Sequence, residues 1–404
     1  MSTGAKLRLA ALASAALIAL GAQAQDAVRP DVGKPLQAAQ ELIKAGKYKD
    51  ALAKVRDADA VGGKNANEIF VVERMRIAAA SGAGEVETAA KSFEVLAGSG
   101  RLSGSDKARM AESIAGGYYR AKDYGKAMQW GQRYFREGGT NPAIRTLLIQ
   151  SQYLAGDFAG AARELTTEIQ AAEKSGSAPA QDRLNLLLNA AVQLKDTNTT
   201  VFALERLVTY YPKKEYWVDL LSRMQRKPNF SDRLVLDTYR LSLATGSMSA
   251  ANDYMEMSQL ALQAGHASEA KQVVDKGFAA NVLGQGAEAE RHKRLRDLVA
   301  KKLAEASASQ AESEKQAAAA KDGNELVNIG FALATGGDAA KGLPLIQQGI
   351  TKGGLKRPED AKLHLGIAQA LAGDSKAQTT LRGVAGADGT ADLARLWSLY
   401  ARRR

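Results

Sequence analysis

The sequence predicts an all-α chain built as a solenoid of antiparallel helix pairs. Three observations carry this: a short phrase recurs at a near-constant interval, most copies place glycine where a first helix must stop, and no segment sustains the period-two alternation of a strand. The clearest phrases are AGKYKDA (45–51), AGEVETA (83–89), AKDYGKA (121–127), AGDFAGA (155–161) and AGHASEA (264–270). Looser copies are TNTTVFA (197–203), GGDAAKG (336–342) and AGDSKAQ (372–378). Their last residues lie 38, 38, 34, 42, 67, 72 and 36 positions apart, so with each long gap read as two units, ten units repeat at a mean near 36.

The first 24 residues stand apart from this pattern. Lys6 and Arg8 precede a 12-residue apolar run, Leu9 to Leu20, and Ala22-Gln23-Ala24 supplies a small-x-small cleavage pattern. Twelve apolar residues fall short of the roughly 20 that span a bilayer. The expectation is a cleavable signal peptide (1–24) and a mature periplasmic protein with no transmembrane span. Without Lys6 and Arg8 the chain keeps 53 Lys and Arg against 44 Asp and Glu, a net charge of +9.

After an expected linker over 25–34, the phrases place an N-terminal solenoid at 35–284. Each phrase is a helix–turn–helix. So short a connection needs a residue at positive φ, which glycine supplies cheaply. Gly46, Gly84, Gly156, Gly265, Gly337 and Gly373 fill that slot, with Lys122 and Asn198 in the other two copies. The closing Ala falls where the second helix backbone approaches the first, and Tyr48, Tyr124 and Phe158 pack between the pair. From Ala287 to Asp322 there is neither Gly nor Pro, which predicts one long helix or a long pair as a connector and hinge (285–322). Repeats resume at 323–404. Leu393, Leu396, Trp397 and Tyr400 then share one helical face, as a capping helix requires.

Several units resemble the tetratricopeptide repeat (TPR) family. The 108–141 unit carries Tyr118, Tyr124 and Ala127 in consensus places, and the 142–175 unit carries Leu148, Gly156, Phe158 and Ala161. In 323–386, Ile329-Gly330 and Leu365-Gly366 match the Leu-Gly pair of a first helix. The resemblance covers about 35–386, while the consensus Trp and closing Pro are mostly missing. It implies a TPR-like α-solenoid of about 8–10 units whose first helices line a groove for protein partners. The implied groove positions are Arg109, Glu112, Tyr119, Arg120, Gln150, Tyr153, Asn252 and Gln259. The phrases GGLKRPEDAKLHLGIAQALAG (353–373) and GADGTADLARLW (386–397) are similar to proteobacterial periplasmic TPR proteins, some of them linked to TonB-type energy transduction.

Composition narrows the chemistry. The chain has no Cys, which excludes thiolate metal sites and Cys nucleophiles, and only three His, at 266, 292 and 364. His292 reads as an exposed helix residue, and His266 and His364 as structural or solvated. No phosphate-binding glycine motif is present. Ser268-x-x-Lys271 lacks the companion motifs of penicillin-recognising enzymes. Over 291–302, Arg291, Lys293, Arg294, Arg296, Lys301 and Lys302 face one acid, Asp297, and form a basic patch. Nucleic-acid stacking lacks an aromatic partner there. The expected function is a non-catalytic protein-interaction scaffold of the cell envelope, without cofactor or metal. The alternative is an envelope-assembly or polysaccharide-export factor holding an anionic polymer through that patch.

Overall fold

A computed structural model describes residues 27–402, so the expected signal peptide lies outside the described residues. The described residues form twenty α-helices, one 3-10 turn at Asp232–Leu234 and no strand. Six pairs come first: α1 (Pro30–Lys44) with α2 (Tyr48–Asp59), α3 (Ala66–Ala83) with α4 (Val86–Gly98), α5 (Gly104–Arg120) with α6 (Tyr124–Arg136), α7 (Pro142–Leu154) with α8 (Phe158–Lys174), α9 (Gln181–Gln193) with α10 (Thr197–Tyr210), and α11 (Lys214–Gln225) with α12 (Val235–Ala244). Then follow α13 (Ala251–Gln263) with α14 (Ala267–Ala279), the long α15 (Ala289–Ala319), α16 (Asn324–Thr335) with α17 (Ala339–Lys352), and α18 (Pro358–Ala372) with α19 (Ala377–Arg382). The last helix is α20 (Thr390–Ala401). Nine pairs, one long helix and one closing helix make a TPR-like α-solenoid.

The turns form as the phrases dictate. Gly156 stands at φ 84° and Lys122 at φ 61°, each ending a first helix before the next residues restart one. The 197–203 copy differs in register. Lys195, at φ 55°, makes the turn, and Asn198 already lies inside α10. Asp196 is the cause: its carboxylate accepts from the Thr199 backbone at 3.1 Å and fixes the helix start at Thr197. The close-approach slot is therefore Thr200, which is buried and returns its hydroxyl to the Asp196 carbonyl at 2.7 Å.

Small residues set how near the paired helices come. Ala51, Ala89, Ala127, Ala161 and Ala270 have no solvent exposure. The approach is tightest between α16 and α17. A Cβ on Gly342 would stand 2.4 Å from the Gly330 carbonyl oxygen, and one on Gly330 would stand 2.7 Å from that of Gly342.

The chain divides into two compact units, between Glu164 and Leu165. In the first, α1 begins at Pro30, inside the stretch expected as a linker, because proline suits the first position of a helix and Val32 is fully buried. Arg29 anchors this end by pairing with the buried Glu68 carboxylate (Nε–Oε1 2.9 Å). Asn65 and Glu68 also cap α3 reciprocally. Hydrogen bonds from Arg29 hold the Glu68 carboxyl well below the usual range, at about 2.

In the second unit, α15 is one unbroken helix, but it does not separate two solenoids. Leu204, Trp217 and Leu241 share a core with Phe331, Ile367 and Trp397, so the residues after α15 pack against those before it. The reason is apolar surface. The face of α20 carrying Leu393, Leu396 and Trp397 is buried, and that helix contacts α10 and α12 as well as α18 and α19. The expected cap thus closes the unit on itself.

Ala127→Leu or Ala161→Leu should destabilise the chain by about 1–3 kcal/mol through overpacking. Ala159→Leu, on the exposed side of α8, should change little. Urea unfolding followed by circular dichroism checks the contrast, and equal midpoints for the three variants would refute the helix register.

Candidate binding surfaces

In the first unit the first helices stack: α1 contacts α3, α3 contacts α5, and α5 contacts α7. This stack carries six of the eight expected groove residues. Arg109, Glu112, Tyr119 and Arg120 lie on α5, and Gln150 and Tyr153 on α7. The Tyr119 hydroxyl donates to Gln150 Oε1 at 3.0 Å, and the Asn141 amide donates to Glu112 Oε1 at 2.8 Å. Each tyrosine is half-buried and meets the first aromatic of its own second helix edge-on: Tyr119 against Tyr124 at 5.6 Å, Tyr153 against Phe158 at 5.2 Å. Burial pushes the Tyr119 phenol up. Arg109 and Arg120 are exposed, and Arg109 has only a long 3.7 Å approach to Asp106. The tyrosines are therefore fixed by the scaffold, while the arginines face solvent. Asn252 and Gln259 are exposed on α13 of the second unit.

Half of the basic patch is ion-paired within its own unit. Arg291 pairs with Glu288 (3.3 Å), Lys293 with Glu290 (2.7 Å) and Lys302 with Glu305 (2.7 Å), while Arg296 lies over the Phe278 ring at 4.6 Å. The acids stand just outside or one turn beyond the basic run, at helical spacing, which is why the run alone overstates its charge. Arg294 and Lys301 make no ion pair among the described residues.

The strongest concentration of buried charge lies elsewhere, in the second unit. Arg240 on α12 is buried between two carboxylates: Nη1 lies 2.6 Å from Asp237 Oδ1, and Nε and Nη2 lie 2.7 and 2.6 Å from the oxygens of Glu269 on α14. Its Nη2 also meets His266 Nδ1 at 2.7 Å. A guanidinium only donates, so Nδ1 accepts and Nε2–H donates to Asn328 Oδ1 at 3.3 Å. His364 on α18 reaches Asp237 Oδ2 at 3.2 Å and stacks on Phe331 with ring centres 4.0 Å apart. Arg240 sits 4.6 Å from the centre of the Phe331 ring. Burial alone would raise the Asp237 and Glu269 carboxyls. At Asp237 the neighbouring His364 and then Arg240 outweigh it, at Glu269 Arg240 does, and both carboxyls are held below the usual range.

Two of the three histidines thus belong to one structural network, and the third is also buried: His292 Nδ1 accepts from the Gly284 backbone at 3.0 Å. The exposed position expected for His292 is corrected by that contact, since its ring faces the loop before α15. Lys271 of the Ser-x-x-Lys match pairs with Asp275. Sequence reasoning missed Arg240, Asp237 and Glu269. The available signal was Asp237 and Arg240 at i and i+3 inside the otherwise apolar run LVLDTYRLSLA.

A second arginine latch lies nearby. Arg233, in the 3-10 turn, holds Asp360 of α18 through two bonds (2.7 and 2.9 Å), along with Asp388 (2.7 Å) and Thr390 (2.9 Å). It borders a cleft of about 670 Å³ beside a second of about 390 Å³, both reached by Arg357 and Asp360. No group of three or more His, Cys, Asp or Glu able to hold a metal forms among the described residues. No described helix is long and apolar enough to cross a membrane.

No protein-family model and no curated protein matches the sequence. Among solved structures, the chain is similar to the TPR domain of P58(IPK) at 11% identity over 92% of this chain and 98% of that one, with a TM-score of 0.23. It is similar to yeast Tom70 at 11% identity over 92% and 96%, TM-score 0.24. It is also similar to the pentatricopeptide repeat protein PPR10 from maize at 15% identity over 91% and 61%, TM-score 0.29. The fold rests on the helix pairs and not on these superpositions.

Arg240→Ala would leave two buried carboxylates without their counter-charge and should cost about 3–5 kcal/mol. The network also fixes a pH dependence. Both carboxyls have folded values below their unfolded ones, so their contribution is present above the ordinary carboxylate range and fades as pH falls through and below it. Urea midpoints at pH 7 and pH 4 check this: the wild type should lose stability on acidification, and Arg240→Ala should lose less.

Proposed function

We propose that the chain is a non-catalytic scaffold that holds a protein partner on the face formed by α5 and α7. The observation that carries this reading is the stack of first helices, which fixes Tyr119 and Tyr153 in place and leaves Arg109 and Arg120 in solvent. Rigid aromatic side chains beside exposed arginines are the usual anchors of protein interfaces. The repeating helices occupy nearly all the described chain.

The envelope setting belongs to the same proposal. It is supported by the signal-like residues 1–24, and a link to TonB-type energy transduction is supported by the phrases at 353–373 and 386–397. Capture of an anionic polymer through α15 has less support, because four of the six basic side chains there have partners within the unit.

The test is affinity capture from a periplasmic extract with three baits. The wild-type chain should retain a defined partner, and Arg109→Glu with Arg120→Glu should lose it with helicity unchanged. Arg294→Glu with Lys301→Glu should retain it. Loss only with the α15 pair would move the binding face to α15 and sink the reading.

A further inference from the structure

The cleft of about 390 Å³ in the second unit has no part in that function. It lies between α16 and α18 and beneath the loop that precedes α18. Val327 and Ala361 line it and are buried, and polar side chains make up most of the rest. The volume is at the small end of the range for bound metabolites, about 300–1,000 Å³.

The loop is held in place before any ligand arrives. Gly353 (φ 77°) and Gly354 (φ 66°) give it a path that other residues rarely follow. The Gly353 carbonyl accepts from Gly323 N at 2.9 Å. Asn324 clamps the loop from α16: its Oδ1 accepts from Lys356 N at 3.1 Å, and its amide donates to the Gly354 carbonyl at 3.3 Å. Lys356 and Arg357 are thereby carried on a fixed backbone, both exposed and both lining the cleft.

The charge balance is one-sided. Asp360 is the only acid lining the cleft, and Arg233 occupies both of its oxygens. Arg357 approaches Asp360 no closer than 3.9 Å. Asp322, at the edge, is engaged by the Asn324 backbone, with Lys356 within electrostatic reach. Because His266 Nε2–H donates to Asn328 Oδ1, the amide nitrogen of Asn328 is the donor left to the cleft it lines. An ammonium, a guanidinium fork and a carboxamide N–H thus border one small space with no unneutralised carboxylate lining it.

We propose that this cleft binds the oxyanion group, phosphate or carboxylate, of a small ligand, held by Lys356, Arg357 and Asn328. The guanidinium supplies two parallel N–H donors to such a group and the lysine a compact charge. The site stands independently of the α5–α7 face, so either can fail without the other.

Calorimetric titration of the full chain with inorganic phosphate and, separately, succinate at low ionic strength tests it. At least one anion should bind saturably with one site per chain, and which one binds tells phosphate from carboxylate recognition. Lys356→Gln with Arg357→Gln should weaken that binding tenfold or more with the circular dichroism spectrum unchanged, and 0.5 M salt should weaken it too. Arg294→Gln with Lys301→Gln, a control that removes the same charge from α15, should leave it intact. No saturable binding of either anion, or equal binding by the Lys356/Arg357 variant, overturns the proposal.

Discussion

The close approach of paired helices at small residues is the constraint on which the rest depends. Where Ala51, Ala89, Ala127, Ala161 and Ala270 meet a neighbouring helix, no side chain holds the backbones apart. Between α16 and α17 even a methyl group is excluded, since Gly330 and Gly342 face each other's carbonyls. Tight pairs bury their shared seam and leave each pair with an uncovered apolar side, which the next pair covers. The stack of α1, α3, α5 and α7 follows from that rule.

The second unit adds a polar constraint. Arg240, Asp237 and Glu269 are almost wholly out of water. Burying such charges is costly unless each is matched, and here every carboxylate oxygen has a donor. The matching groups come from α12, α14 and α18, with Phe331 of α16 between the rings. A helix sequence that slipped by one residue would break several bonds together, so the network selects one register. Arg233 acts likewise at the rim, fastening the start of α18 and the approach to α20 to the 3-10 turn.

Local features were legible in the sequence because their causes are local. Gly156 and Gly265 end helices whatever surrounds them, and the glycine-free stretch after Ala287 forms one helix on propensity alone. The register at 197–203 was misread because Asp196 caps one turn earlier than the phrase implies. The α5–α7 residues could be placed from spacing, but their hydrogen bonds could not. The Arg240 network was invisible, since His266, Asn328 and His364 join it from 26 to 124 residues away. The glycine-free helix gave no sign that later residues return to pack on α10 and α12, because that closure depends on matching apolar faces distant in sequence.

Amide hydrogen exchange on the full chain tests the closure of the second unit most directly. If Leu204, Trp217, Leu241, Phe331, Ile367 and Trp397 share one core, the protected amides of α10 to α12 and of α16 to α20 should open together, with a common free energy. Earlier and independent exchange of α16 to α20, with α10 to α12 still protected, would contradict it and restore the hinge at α15.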